Sequence, residues 1–294
     1  MQAPSSIAVI GAGRMGGPIA RNLAVGHDVT AYDPDPAAMQ ACAAAGVSPA
    51  DSATEAARGV DLVITSLPLP EHVTAAVDEI LHVLAPGTIV MDVSTIDPAT
   101  AATLEARLEE AGHHFVACPL GKGPAQAETG DSPLFIGGKD EPIDALDAVF
   151  AAIGAERYLL GGVEASTMFK LVSNLIGMTN LAVLAEGYNL CRRAGVPDDA
   201  FTAALADTGG WSYQAELRLP WMIDGDFEPR FAAGLGLKDL RLAVDVASRW
   251  GMPAPVGAMG MSQLASAVAH GHGDLDVNAI LRVLAPGSEV DADE

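Results

Sequence analysis

Positive charge is scarce in this chain. Its 294 residues hold 16 Lys and Arg against 38 Asp and Glu, a formal net charge of -22 at pH 7. A phosphate backbone or an anionic bilayer surface would be repelled overall, so neither nucleic acid nor a membrane is expected as a partner. No uninterrupted apolar run approaches the ~20 residues of a spanning helix. The start, MQAPSSIAVIGAG, lacks a basic segment and runs straight into a glycine loop, so no secretory leader is expected and the mature chain should begin at Met1. Cysteine is equally sparse: Cys42, Cys118 and Cys191 are odd in number and form no CxxC pair, which speaks against a redox dithiol or zinc site and suits a reducing cytoplasm. No GxSxG elbow supports hydrolase chemistry. The histidine pairs His113/His114 and His270/His272 have no carboxylate or cysteine neighbours at metal spacing, so they read as solvated loops and no metal is expected.

Half of the residues are hydrophobic, enough for one large or two ordinary domains. From Ile7 to about Leu160, the runs IAVI, VTAY, LVIT, TIVMDV, HFVAC and LFIGG alternate with alanine-rich helical segments. All-apolar strands linked by crossover helices predict an α/β fold, a mostly parallel, doubly wound sheet covered on both faces. Beyond Gly162 strand-like runs disappear. Residues 163–193 read as one long helix, and Pro197, Pro220, Pro253 and Pro255 divide the remainder into several more. The expected division is a domain of residues 1–162 and an all-helical domain of residues 163–294, with residues 290–294 a frayed tail.

The first strand leads into Gly11-Ala12-Gly13-Arg14-Met15-Gly16, and a helical segment follows. In that setting GxGxxG is a dinucleotide loop: the first glycine permits the turn, the second admits the pyrophosphate, and the third lets the helix pack closely. Asp33 ends the second strand 22 residues after Gly11. A carboxylate there accepts from a ribose 2'-hydroxyl and repels a 2'-phosphate, which favours NAD over NADP. Arg14 has two readings, a pyrophosphate contact or a solvated loop charge.

Of the four lysines, Lys170 lies in the long helix, one turn before Asn174 on the same face. It reads either as a snorkelling surface lysine or as a partly desolvated acid and base. Lys122 sits between Gly121 and Gly123 in a strand-end loop, the setting of an anion site. Lys238 opens KDLRLA with Asp239 as an available partner, and Lys139 reads as a solvated turn charge.

Five ordered stretches resemble the β-hydroxyacid dehydrogenase family: IAVIGAGRMGGPIARNLAVGHDV, MDVSTIDP at 91–98, PLGKGPAQAETGDSPLFIGG at 119–138, GGVEASTMFKLVSN at 161–174 and LKDLRLA at 237–243. The resemblance implies a Rossmann domain followed by a helical domain of 6-phosphogluconate dehydrogenase type. It also implies NAD(P)-dependent interconversion of a small 3-hydroxy acid and its aldehyde in the cleft between them. It gives Lys170 the role of general acid and base, assisted by Asn174. It places Leu67 and Pro68 against the cofactor, Ser94 and Thr95 near the nicotinamide and substrate carboxylate, and Lys238 at the nicotinamide end. Trp211 either closes the substrate pocket or packs in the helical core.

The substrate loop departs from the family's usual Pro-Val-Ser-Gly-Gly, reading Pro119-Leu120-Gly121-Lys122-Gly123. It looks more like the sulfolactaldehyde branch, and an added cation suits a sulfonated or doubly anionic substrate. Imine reductases, and NAD-binding modules without turnover, are rival readings that usually lack the lysine kept here as Lys170. The resemblance further implies a homodimer or homotetramer.

Overall fold

The computed structural model describes residues 1–284; the tail at 290–294 lies outside the described residues. The chain divides into two compact units, Met1–Lys170 and a second that begins at Leu171.

The first unit is built on eight strands: β1 (Ser6–Ile10), β2 (Asp28–Tyr32), β3 (Ser48–Pro49), β4 (Leu62–Thr65), β5 (Ile89–Asp92), β6 (His114–Ala117), β7 (Leu134–Gly138) and β8 (Arg157–Leu159). Their order across the sheet is β3-β2-β1-β4-β5-β6-β7-β8, and every pairing is parallel except β6 with β7. The chain therefore winds outward from β1 in both directions, which puts the switch point between β1 and β4. All six expected strands are present. The two not expected are β3, two residues that include a proline, and β8, an edge strand whose three residues are all exposed.

Helices α1 (Gly16–Leu23), α2 (Pro36–Ala43), α3 (Ala53–Ala56), α4 (Pro70–Ile80), α5 (Pro98–Glu110), α6 (Pro124–Glu128), α7 (Asp140–Ala145) and α8 (Asp147–Ile153) make the connections. Four begin with proline, whose fixed φ and missing N–H suit a first turn. Asp35 and Asp97 cap α2 and α5 by accepting from main-chain N–H groups. Successive residues of the central strands enter opposite layers. Ile7, Val9, Leu62, Ile64 and Met91 pack with Ile19 and Leu23 of α1 and Phe150 of α8. Ala8, Ile10, Val63 and Val90 pack with Val73 and Val77 of α4 and Leu104 of α5.

The second unit is helical. Helix α9 (Val163–Arg193) starts in the first unit and continues into it, followed by α10 (Asp198–Ala206), α11 (Tyr213–Ile223), α12 (Ala233–Arg249), α13 (Pro255–Ala267) and α14 (Ile280–Leu284). Leu181, Ala185, Tyr188, Leu219, Leu240, Leu264 and Ile280 form its core. By length and composition alone α9 is apolar enough to cross a bilayer. Polar residues interrupt it at Lys170, Asn174 and Glu186, and one face of it, with Leu181, Ala185 and Tyr188, is buried in the core of the second unit. One expectation fails: Pro220 lies inside α11 and ends no helix. It sits in the last turn with its ring exposed, and buried Arg218, Leu219 and Met222 hold the helix across the one missing hydrogen bond.

Candidate active site

Strands β1, β4, β5 and β6 run parallel, so their carboxyl ends share one edge of the sheet. The loops that follow them carry most of the candidate residues of the first unit. That edge is where open α/β sheets bind ligands.

After β1, Gly11 adopts φ +89°, and a Cβ there would lie 2.3 Å from the Ser66 carbonyl oxygen. A Cβ on Gly16 would lie 1.8 Å from the Gly11 carbonyl oxygen, so the helix can start this close to the turn only at glycine. Gly13 is exposed and would meet nothing within 4 Å. Open space over the second glycine, beside a helix start that no side chain caps, fits a dinucleotide pyrophosphate. Arg14 beside it is exposed, and Met15 packs onto the sheet core. Asp33 follows β2; its Oδ2 accepts from Ala12 N–H at 2.8 Å and its Oδ1 from Asp35 N–H at 2.9 Å. One carboxylate thus ties the end of β2 to the glycine loop.

After β4 and β5 the loops are stitched together by Asp92, which is 1% exposed. Its Oδ1 accepts from Thr65 Oγ1 at 2.7 Å, from Ser94 Oγ at 2.6 Å and from Ser94 N–H at 3.2 Å. Ser94 Oγ in turn accepts from Leu67 N–H at 2.9 Å. The only hydroxyl proton of Ser94 is therefore committed to Asp92. Thr95, the next residue, is half-buried, and Pro68 is exposed. Cys118, beside this network at the end of β6, is fully buried, and burial, with the Asp92 charge second, holds its thiol well above the usual range. It stays protonated and unreactive.

After β6 the loop Pro119–Gly123 turns back through Lys122, the one non-glycine residue with positive φ (+62°) among the described residues. A side chain in the left-handed region costs about 1 kcal/mol that glycine would avoid. Lys122 is exposed, Gly121 is buried and Gly123 half-buried. Lys122 Nζ lies 3.3 Å from Asp131 Oδ2.

Lys170 closes the first unit on α9 and is 9% exposed. The turns before it are anchored to β7: Ser166 Oγ donates to the Phe135 carbonyl at 2.8 Å, and the Phe169 ring meets Phe135 edge-on with centroids 4.8 Å apart. Lys170 is thus a buried lysine on a fixed helical turn, not a snorkelling surface residue.

In the second unit, Asp239 is 2% exposed and holds two candidates at once. Its Oδ2 accepts from Asn174 Nδ2 at 2.6 Å, and its Oδ1 pairs with Lys238 Nζ at 2.8 Å. Trp211 is half-buried against the helical core, ahead of Ser212, which caps α11. His113 is a correction: it is 7% exposed, not solvated, and burial followed by repulsion from His114 lowers its pKa.

From pattern alone Asp92 has no assigned role, and Asp239 is only an available partner for Lys238. The signal for Asp92 was present, a carboxylate at a strand end within DVST. The Asn174 contact spans 65 positions and leaves no local trace.

Residues 6–162 match the NAD binding domain of 6-phosphogluconate dehydrogenase, and residues 165–284 match the NAD-binding domain of NADP-dependent 3-hydroxyisobutyrate dehydrogenase. The chain is 31% identical to the 3-sulfolactaldehyde reductase of Escherichia coli over 284 residues, covering 94% of this chain and 95% of that one. It is 29% identical to the 2-(hydroxymethyl)glutarate dehydrogenase of Eubacterium barkeri over 288 residues, 96% of each chain. The solved 3-hydroxyisobutyrate dehydrogenase of Mycobacterium tuberculosis with L-serine superposes at TM-score 0.88 with 28% identity, covering 97% of this chain and 99% of that one. The two matched domains, the near full-length relatives and the superposition agree that this chain belongs to the β-hydroxyacid dehydrogenase family, NAD(P)-dependent oxidoreductases that act on the hydroxyl group of hydroxy acids.

Proposed function

We propose that the chain interconverts a small 3-hydroxy acid of the 3-hydroxyisobutyrate type and its aldehyde, with Lys170 as general acid and base. The observation that carries this reading is a buried lysine on an anchored helical turn, one turn before an asparagine whose amide is already oriented by Asp239. The nicotinamide supplies a two-electron acceptor and donor of hydride. In the oxidative direction neutral Lys170 takes the hydroxyl proton while the carbinol C–H leaves as hydride; in reduction its ammonium protonates the developing alkoxide. Asn174 has one amide hydrogen and its carbonyl oxygen left for the substrate or for Lys170.

Gly11, Ala12, Gly13, Arg14, Met15 and Gly16 form the pyrophosphate loop in this proposal, and Asp33 takes the adenine ribose. Leu67, Pro68, Thr95 and Lys238 complete the cofactor set. Thr95 also receives the substrate carboxylate, and Ser94 acts through the loop that it fixes. Gly121, Lys122, Gly123 and Trp211 belong to substrate selection. Residues 1–162 form the dinucleotide domain and residues 163–294 the substrate and oligomerisation domain of a cytoplasmic homodimer or homotetramer.

Lys170→Ala should lower kcat by at least 10²-fold, the usual contribution of a positioned proton donor, while NAD still binds. NADH formation and NAD titration measure the two separately. Activity within a few-fold of the parent protein would remove Lys170 from the mechanism and return imine reduction or simple NAD binding to consideration.

A second reading of the substrate rests on Lys122. A left-handed backbone maintained at a lysine, where glycine would be unstrained, suits a site that needs the cation. It favours a substrate that carries a sulfonate or a second carboxylate.

A further inference from the structure

The loop that presents Lys122 carries its own counter-charge. Of its two carboxylates, Glu128 is taken by Arg21 at 2.5 Å, and Asp131 is the partner of Lys122 at 3.3 Å. The main chain of the loop is fixed without the Asp131 side chain: Gly121 N–H donates to the Pro133 carbonyl, Asp131 N–H to the Gln126 carbonyl, and Gly123 N–H to Gln126 Oε1. Leu120 also bridges to Leu134 on β7. The carboxylate of Asp131 is thus not needed to hold the turn. It is 54% exposed and within reach of any anion that approaches Lys122 Nζ.

We propose that Asp131 is a specificity-determining residue, a built-in anion that occupies Lys122 and that a second anionic group on the substrate must displace or share. The inference rests on the reading that Lys122 faces the substrate. A hydroxy acid with a single carboxylate held elsewhere is indifferent to Asp131. One with a further carboxylate meets Lys122 already neutralised and feels the repulsion of Asp131 as well. Asp131 therefore moderates what Lys122 alone would provide, an open preference for doubly anionic substrates. Both side chains are solvated, so the effect is that of an exposed charge pair, about two- to fivefold in binding, and weaker in high salt.

The test is calorimetric titration of the NADH-loaded protein, in which the alcohol cannot be oxidised, with two compounds that share a 3-hydroxy acid core, 3-hydroxyisobutyrate with one carboxylate and 2-(hydroxymethyl)glutarate with two. Asp131→Asn should tighten the dicarboxylate about two- to fivefold and leave the monocarboxylate nearly where it was. In a Lys122→Met background the same substitution should shift their ratio by less, because only the direct repulsion between Asp131 and the second carboxylate is then relieved. If Lys122→Met weakens the dicarboxylate while Asp131→Asn does not tighten it, Lys122 faces the substrate and the role of Asp131 is refuted. If Lys122→Met leaves the dicarboxylate unchanged, the reading of Lys122 itself fails and this inference falls with it. Where direct heats are too small, displacement of bound 3-hydroxyisobutyrate by the dicarboxylate gives the same comparison, and no gain in Asp131→Asn counts against the proposal.

Discussion

The carboxylate of Asp33 has two separable tasks. Through Oδ2 it holds Ala12 N–H and hence the shape of the glycine loop, and in the proposed cofactor site its charge disfavours a ribose 2'-phosphate. Asparagine keeps an oxygen for the first task and loses the charge needed for the second; alanine loses both. A hydrogen bond to a charged group contributes about 1.5–3 kcal/mol, so Asp33→Ala should weaken NAD about 10- to 100-fold. Asp33→Asn should mainly erase the discrimination against NADP. Fluorescence titration with NADH and NADPH checks both, and an unchanged ratio in both variants would detach Asp33 from cofactor choice. Asp92 shows the same economy on a buried scale. Three donors converge on one of its oxygens, so Ser94 and Leu67 move with it. Ser94, which the family resemblance puts near the substrate carboxylate, also fastens two loops to each other.

At the scale of elements, the second unit depends on a short piece of chain held by one carboxylate. Asp276 is fully buried and pairs with Arg218 Nε of α11 at 3.0 Å. It also accepts from the main-chain N–H groups of Arg230, Phe231 and Asn278, which joins the segment before α12 to the turn before α14. Asp276→Ala leaves a buried guanidinium and three main-chain donors without their acceptor, a change that costs about 3–5 kcal/mol. The thermal midpoint should fall by roughly 10 °C. Breaking the exposed Lys139–Glu109 pair should barely move it. Equal shifts for the two variants would refute a special role for Asp276. None of this was legible from pattern: Arg218 and Asp276 are 58 residues apart, and each alone reads as a surface charge. The sheet was legible because its central strands are apolar on both faces, and the glycine loop because its spacing follows from stereochemistry. β3 and β8 were not, since two- and three-residue exposed strands bury nothing that would leave a periodic trace. Pro220 misled for a related reason: proline predicts a break from local energetics alone, and tertiary burial of its neighbours outweighed that.

For the whole molecule, the distribution of exposed apolar surface bears on assembly. Phe169, Ile176, Val183 and Leu190 recur at seven-residue intervals along α9 and are 43%, 56%, 61% and 70% exposed. Such a repeat drifts only ~20° per interval around a helix, so Ile176, Val183 and Leu190 of the second unit form one stripe about 21 Å long. Val256 and Met259 of the adjacent α13 are 66% and 69% exposed; α13 lies close against α9, where a Cβ on Gly257 would come within 2.5 Å of Leu175. Apolar surface of this extent marks an interaction site, and in the proposed homo-oligomer a second copy of the chain covers it. A net charge of -22 opposes that association through repulsion between copies, which salt screens, whereas apolar burial is insensitive to modest salt. The two contributions can therefore be told apart by sedimentation. The parent protein should sediment as a dimer or tetramer, with assembly strengthened between low salt and about 0.15 M ionic strength as the Debye length falls to about 8 Å. Val183→Glu, which puts a charge in the middle of the stripe, should give a monomer at the same concentration, and Lys139→Met, an exposed charge outside the stripe, should not. A parent protein that is monomeric throughout, or a Val183→Glu variant that assembles normally, would show that this stripe is not where copies meet.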